Sequence, residues 1–324
     1  MRRFLFVLGL ALLPGVSPAQ TQAQTPAAGA APDWSAVETV EVTEPPGPAV
    51  WRISKNDSEV WILGTVGAMP KDLAWNRKYL SDLVDGAHAV LMPPRPSIGL
   101  LEGAWFLITN GGKLSLPRGQ VLEAILPEAL RQHFVAIRTQ LGTSEGRYRT
   151  DTPLRAIWRI RSDFLDKNKL DGREPGAAIR DIASSKHVPV KPVSRYEVLD
   201  AAREALALPY PVQEICLAEV LEDIDRTNVN AVPAAHAWAV GDVKTVKAHY
   251  APNRLDDCVI AQVHKVADID ERSIADFTAA VADALNQPGK SVAVIDMGRL
   301  LRKNGVLERL AGRGFTIEGP AEHE

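Results

Sequence analysis

Short strand-forming runs stand towards both ends of this 324-residue chain, and residues 97–287 between them carry helical spacing. A strand cannot satisfy its own backbone amides and carbonyls, so runs this far apart in sequence must meet in space. Val50 to Ser54 and Val60 to Leu63 are separated by Lys55-Asn56-Asp57-Ser58, turn residues at the spacing of a hairpin. Leu63-Gly64-Thr65 leads through Pro70 into a helical stretch from Trp75 to Val84. A third run, His88 to Met92, is stopped by Pro93, Pro94 and Pro96, which have no amide to give a sheet ladder. Towards the other end, Ser291 to Ile295 reads as a buried strand, Gly305 to Leu310 as a helical piece and Gly314 to Ile317 as a final strand. The expectation is an α/β fold: a mixed β-sheet built from N- and C-terminal strands, covered by helices, with a large and mostly helical insert.

Within the insert, Leu122, Leu126, Leu130, Phe134, Ile137 and Leu141 recur at steps of three and four, which puts them on one helix face. Ile274, Phe277, Val281 and Leu285 repeat the pattern, as do Cys216, Val220 and Ile224. Stripes of this kind are core and carry no chemistry. Pro189 to Val193 reads as a short strand inside the same region.

The first residues read as an address. Arg2 and Arg3 precede Phe4 to Leu13, which holds nothing polar; Pro14-Gly15 then breaks the run and Ser17-Pro18-Ala19 offers small residues for cleavage. That is the three-part plan of a secretory signal peptide over residues 1–19, and an apolar run this short reaches only about half the hydrocarbon thickness of a bilayer. Residues 20–47 read as a flexible spacer and entry segment, and 48–320 as the folded domain. No run of eighteen apolar residues follows, so no membrane span is expected after signal removal, and the expected location is a bacterial periplasm. In that oxidising compartment Cys216 and Cys258, which form no C-x-x-C, are expected to pair, two free buried thiols being the alternative. With 24% charged and 46% hydrophobic residues the chain is an ordinary folded protein. Its net charge of −3, without a basic stripe, argues against nucleic acid as a partner.

Familiar catalytic motifs fail. Ala284-Leu285-Asn286-Gln287-Pro288-Gly289-Lys290-Ser291 approaches the P-loop pattern, but here a helix ends and a strand begins, the reverse of the order that aims helix amides at phosphate. There is no H-E-x-x-H, G-x-S-x-G or G-x-G-x-x-G. The seven histidines (88, 133, 187, 236, 249, 264 and 323) are scattered, and those on helical stretches lack a second histidine at i+3 or i+4.

Three segments together resemble a known family. They are VWRISKNDSEVWILGTVGAMPKDLAW from Val50 to Trp75, AWAVGDV from Ala237 to Val243, and SVAVIDMGRLLRKNGVLERLAGRGFTIEGP from Ser291 to Pro320. In order and spacing they resemble the TraB/GumN family, which also covers the Tiki-type proteins, over nearly all of the chain from residue 48 onward. The resemblance implies an α/β fold and, in active members, metal-dependent peptidase or hydrolase activity. It also implies two glycine-x-x-histidine motifs, one after an early and one after a late strand, joined by an acidic residue ending the next early strand. Strand ends converge at one sheet edge, so distant residues can share one ion.

This sequence departs at each of those points. The first motif reads Gly64-Thr65-Val66-Gly67, the acidic position falls on or beside Met92, and the second histidine falls on Gly298 or Arg299 in Ile295-Asp296-Met297-Gly298-Arg299. Glycine has no donor atom, methionine is a poor ligand for hard divalent ions, and arginine repels them. Asp296 is the best-placed surviving carboxylate, but a catalytic metal site needs about three protein ligands. Its other readings are a helix cap or an ion-pair partner of Arg299. His88, Asp72 and Glu102 also lie near strand ends in sequence. Trp51, Trp61 and Trp75 read as core or rim packing, and Pro93 to Pro96, with Arg95 inside it, as a rigid partner-touching loop or a plain strand stop. The expected function is that of a divergent, non-catalytic periplasmic member with no catalytic, cofactor or metal residues, binding a peptide, glycan or envelope protein in the former active-site cleft. The alternative is a metal-dependent hydrolase holding a divalent metal in a rearranged site around Asp296.

Overall fold

In the computed structural model, which describes residues 47–171, 175–250 and 254–320, β1 (Val50–Lys55) and β2 (Ser58–Thr65) form the expected hairpin. The expected signal peptide over residues 1–19, and the expected spacer up to residue 46, lie outside those residues. Val50 pairs with Leu63 and Lys55 with Ser58, and the turn runs through Asn56 at φ +52°, a left-handed conformation that asparagine tolerates. The later strands are β3 (Met69–Pro70), β4 (Val90–Met92), β5 (Arg95–Ser97), β6 (Leu170–Asp171), β7 (Val190–Pro192), β8 (Arg195–Glu197), β9 (Gly289–Asp296) and β10 (Thr316–Glu318). The main sheet has the order β10-β1-β2-β9-β4-β7. Its first two pairings are antiparallel, and those of β2 with β9, β9 with β4 and β4 with β7 are parallel.

The sheet is thus mixed and joins the two ends of the chain, as the strand runs require. One strand comes from elsewhere: β7, at the edge, is contributed by the insert itself. β9 is central, and Ser291 to Ile295 are buried without the alternation of a half-exposed strand, because helices cover both faces. The helix His264–Ala284 ends before β9 starts, the reverse of P-loop order.

Three local expectations change. The third strand begins at Val90, not His88, whose ring nitrogen lies 3.0 Å from the Pro288 carbonyl oxygen. After Pro93 and Pro94 the chain resumes as β5, which pairs in parallel with β8, so this stretch is neither a free loop nor only a stop. The Leu122-to-Leu141 stripe is split into helices Leu122–Ile125 and Glu128–Leu141. Pro127 between them disfavours helical backbone at Leu126 and lacks an amide, which apolar spacing cannot reveal.

Two hydrophobic cores result. One surrounds the sheet and holds Ile53, Ile62, Leu63 and Val292 to Ile295. The other is helical and holds Phe134, Ile157, Phe164, Leu217 and Leu221. The 30-residue helix Tyr210–Ala239 serves both: Cys216 to Ala231 pack in the helical core, and Ala235 to Ala239 against the sheet. Pro233 lies at the hand-over. Cys216 and Cys258 form a disulfide, S–S 1.98 Å, tying this helix to the helix Arg254–Gln262. Among the described residues no helix is long and apolar enough to cross a membrane.

Candidate functional site

Parallel pairing puts the C-terminal ends of β2, β9 and β4 at one edge of the sheet. Gly64 is opposite Ile295, Thr65 opposite Asp296, and Leu91 opposite Ala293. The positions singled out in sequence therefore converge, but onto two hollows. Gly67, Asp296, Gly298 and Arg299 line one cleft of about 430 Å³, whereas Thr65 and Met92 line a separate hollow of about 290 Å³ beside Pro93 and Arg180. Gly64 has a packing reason of its own: a Cβ there would lie 2.8 Å from the Trp51 ring. Its carbonyl oxygen accepts the buried Trp238 indole N–H at 2.6 Å, and Trp238 meets Trp75 edge-to-face at 5.4 Å. Trp51 is core, and Trp61 and Trp75 are partly buried against it.

Asp296 is a helix cap. It precedes the helix Met297–Leu301, and its Oδ1 accepts the backbone N–H groups of Gly298 at 2.9 Å and Arg299 at 3.2 Å. The Tyr250 hydroxyl donates to the same oxygen at 3.2 Å. Burial first, and then the Asp296 charge, hold the Tyr250 hydroxyl well above the ordinary phenol range, so it stays a donor. The Arg299 guanidinium reaches Asp270 of the helix His264–Ala284, Nε to Oδ1 at 2.9 Å, and Arg302 donates to the other oxygen at 2.8 Å. Burial alone would raise the Asp270 pKa, but Arg302 and Arg299 more than offset it and keep the carboxyl below its ordinary value.

A depressed folded-state pKa contributes stability above the unfolded value, near 3.8 for this group, and loses it as pH falls through the lower folded value. Asp270→Asn is therefore expected to flatten the loss of stability below about pH 4, read as melting temperature against pH. An unchanged acid limb would remove Asp270 from that role. Neither Asp270 nor Tyr250 stands out in the sequence, for each lies well before the residues it meets, Asp296 for Tyr250 and Arg299 and Arg302 for Asp270.

The sequence profile of the TraB/PrgY/gumN family matches residues 49–319, from the first strand of the sheet to the last. The chain belongs to the TraB/PrgY/gumN family. No curated protein and no solved structure matches it.

Active relatives, by the resemblance, hold a divalent ion at this edge, and the donors present in this TraB/PrgY/gumN chain do not fit one. Among the described residues no three His, Cys, Asp or Glu side chains come together as a metal site. Four carboxylates line the cleft, and three of them have other engagements. Asp296 caps a helix, Asp270 is gripped by two guanidinium groups, and Asp223 takes Arg226 at 2.5 Å and the Leu255 N–H at 3.1 Å. None of the described histidines lines the cleft; His133 meets Asp225, His249 meets Asn230 and His264 meets Glu204. Asp72 and Glu102 are not among the lining residues either.

The two glycines that line the cleft, Gly67 and Gly298, differ physically. A Cβ on Gly67 would meet nothing within 4 Å. A Cβ on Gly298 would press on the Tyr250 hydroxyl, closer than real side chains allow, and lie 2.9 Å from Asp296 Oδ1. Tyr250 thus holds the space a side chain at 298 needs. Gly298→Ala is expected to cost about 1–3 kcal/mol by overpacking, with part of that recovered on Tyr250→Phe, while Gly67→Ala is close to neutral. Urea unfolding of the single and double variants measures the coupling. Equal costs at 67 and 298 would contradict it.

A third, more apolar hollow, a groove of about 570 Å³, adjoins the cleft and shares Ile260, Asp270 and Arg299 with it. Pro93 to Pro96, Trp158, Tyr196 and three alanines of the helix Leu199–Leu206 (Ala201, Ala202 and Ala205) form its walls. The proline stretch is therefore groove wall as well as strand stop.

Proposed function

We propose that this TraB/PrgY/gumN member is a non-catalytic periplasmic protein that binds a peptide segment of an envelope protein across the former active-site cleft and the groove beside it. The observation that carries this reading is an open cleft whose strand-end positions have lost donor atoms while its framework of Gly64, Trp51 and Trp238 remains packed. The adjoining groove favours a peptide over a glycan. Walls built largely of Pro93 to Pro96, three alanines, Val198, Val259, Ile260, Val266 and Ile269 suit apolar side chains. Ile260, where the cleft and the groove meet, gives both an apolar wall in common.

The test uses mature protein purified from periplasm without chelator or affinity histidines. Elemental analysis is expected to find manganese, cobalt, iron and zinc all well below one per chain. Fluorescence anisotropy with short labelled peptides rich in Leu, Val and Ala is expected to show saturable binding, weakened at least about tenfold by Ile260→Arg in the shared wall. Near-stoichiometric metal that disappears in Asp296→Ala would overturn this reading in favour of a rearranged hydrolase site. Peptide binding unaffected by Ile260→Arg would move the binding surface elsewhere.

A further inference from the structure

The helix Leu100–Asn110 is amphipathic in the wrong sense for a monomer. Its sequence, LLEGAWFLITN, has no fully buried residue, and Leu100, Leu101, Trp105, Leu107 and Ile108 are 66% to 90% exposed. The side resting towards the helix Leu199–Leu206 carries Gly103, Phe106 and Asn110, which are only half-buried. With 3.6 residues per turn, the five exposed residues and Ala104 fall within about 160° of arc, so the outward face is the apolar one. Six side chains, these five and the exposed Ile98 just before the helix, present on the order of 800 Å². That exceeds the largest patch of an ordinary monomer and matches one side of a standard-size interface.

The face is also symmetric about its middle. Leu100 and Ile108 lie four residues either side of Ala104, and Leu101 and Leu107 lie three either side. Those are the spacings that share a helix face, and under a twofold axis each position four before meets the one four after on the partner. The smallest residue sits where two helices would cross, allowing close approach of their axes. A bilayer is a poorer fit. Eleven residues cannot span it, and an interfacial helix carries Lys or Arg on its polar face, whereas the sole charge here is Glu102.

We propose that Leu100–Asn110 is the contact helix of a homodimer, packing antiparallel against the same helix of a second copy of this chain with the twofold axis at Ala104. The mature full-length chain is expected to sediment at twice its single-chain mass at tens of micromolar. Ala104→Glu, at an exposed position, is expected to give the single-chain mass with an unchanged thermal melt. The chain's two cysteines are already joined, so Ala104→Cys introduces its sole thiol. That variant is expected to form covalent dimers under mild oxidation at least tenfold faster than Thr109→Cys, which lies off the face. A wild-type chain of single mass, a dimer that survives Ala104→Glu, or equal crosslinking at 104 and 109 would each overturn the proposal. So would a single-mass chain that floats with phosphatidylethanolamine–phosphatidylglycerol vesicles and loses them on Ala104→Glu, which would assign the face to lipid.

Discussion

Trp238→Ala is expected to remove about 3–5 kcal/mol of folding stability, more than any other single substitution considered for this chain. Trp238 is fully buried, its indole fills the space between the sheet and Trp75, and its N–H satisfies the Gly64 carbonyl at 2.6 Å. Truncation leaves a cavity of nearly a whole indole and an unpaired carbonyl at the end of β2, two losses that add. Trp238→Phe separates them: most of the volume stays, and the missing hydrogen bond should cost about 1–2 kcal/mol. Urea unfolding followed by circular dichroism reads both. A cost below about 1 kcal/mol for the alanine variant would mean that the long helix is held to the sheet by other contacts. Because Gly67, three residues beyond Gly64, lines the cleft, peptide binding should weaken in Trp238→Ala even under conditions where the variant stays folded.

The second large effect concerns the disulfide. Paired Cys216→Ser and Cys258→Ser, or reduction, is expected to cost about 4 kcal/mol, since the bridge closes a loop of 42 residues and removes that freedom from the unfolded chain. For a chain of this size the melting temperature should fall by roughly 8–15 °C. The bridge ties together two helices that both line the cleft, through Val220, Asp223 and Ile224 on one side and Asp257 and Ile260 on the other. The reduced protein should therefore lose groove binding before it unfolds. A reduced protein that melts as the oxidised one does would show that the helical core alone holds this corner.

The hairpin was legible because two strand-forming runs flank a turn whose asparagine adopts left-handed backbone, and every determinant lies within sixteen residues of sequence. β9 was legible as a continuous apolar run, and the Cys216–Cys258 pair followed from an expected compartment and a count of two. The Leu122-to-Leu141 stripe misled because apolar spacing records which residues face the core, and says nothing of a backbone broken at Pro127. β7 joining the main sheet was out of reach for another reason. Three residues of weak strand character become a sheet edge because β4 offers them a partner a hundred residues away.

At the site the division is similar. The sequence by itself determined that Gly67, Met92 and Gly298 bring no hard-metal donor, because side-chain chemistry does not depend on the fold. It also left Asp296 three readings, a carboxylate of a rearranged metal site, a cap or a partner of Arg299. Only the tertiary structure decided that Asp296 caps its helix under the Tyr250 hydroxyl, that Arg299 and Arg302 close on Asp270, and that Thr65 and Met92 open onto a hollow apart from the cleft. Caps, turns and periodicities act over a few residues and are written locally. Which buried carboxylate meets which guanidinium, and which tyrosine fills the space beside a glycine, depends on how helices from distant parts of the chain settle against one sheet edge. That arrangement is set by packing many segments at once, and no single one of them encodes it.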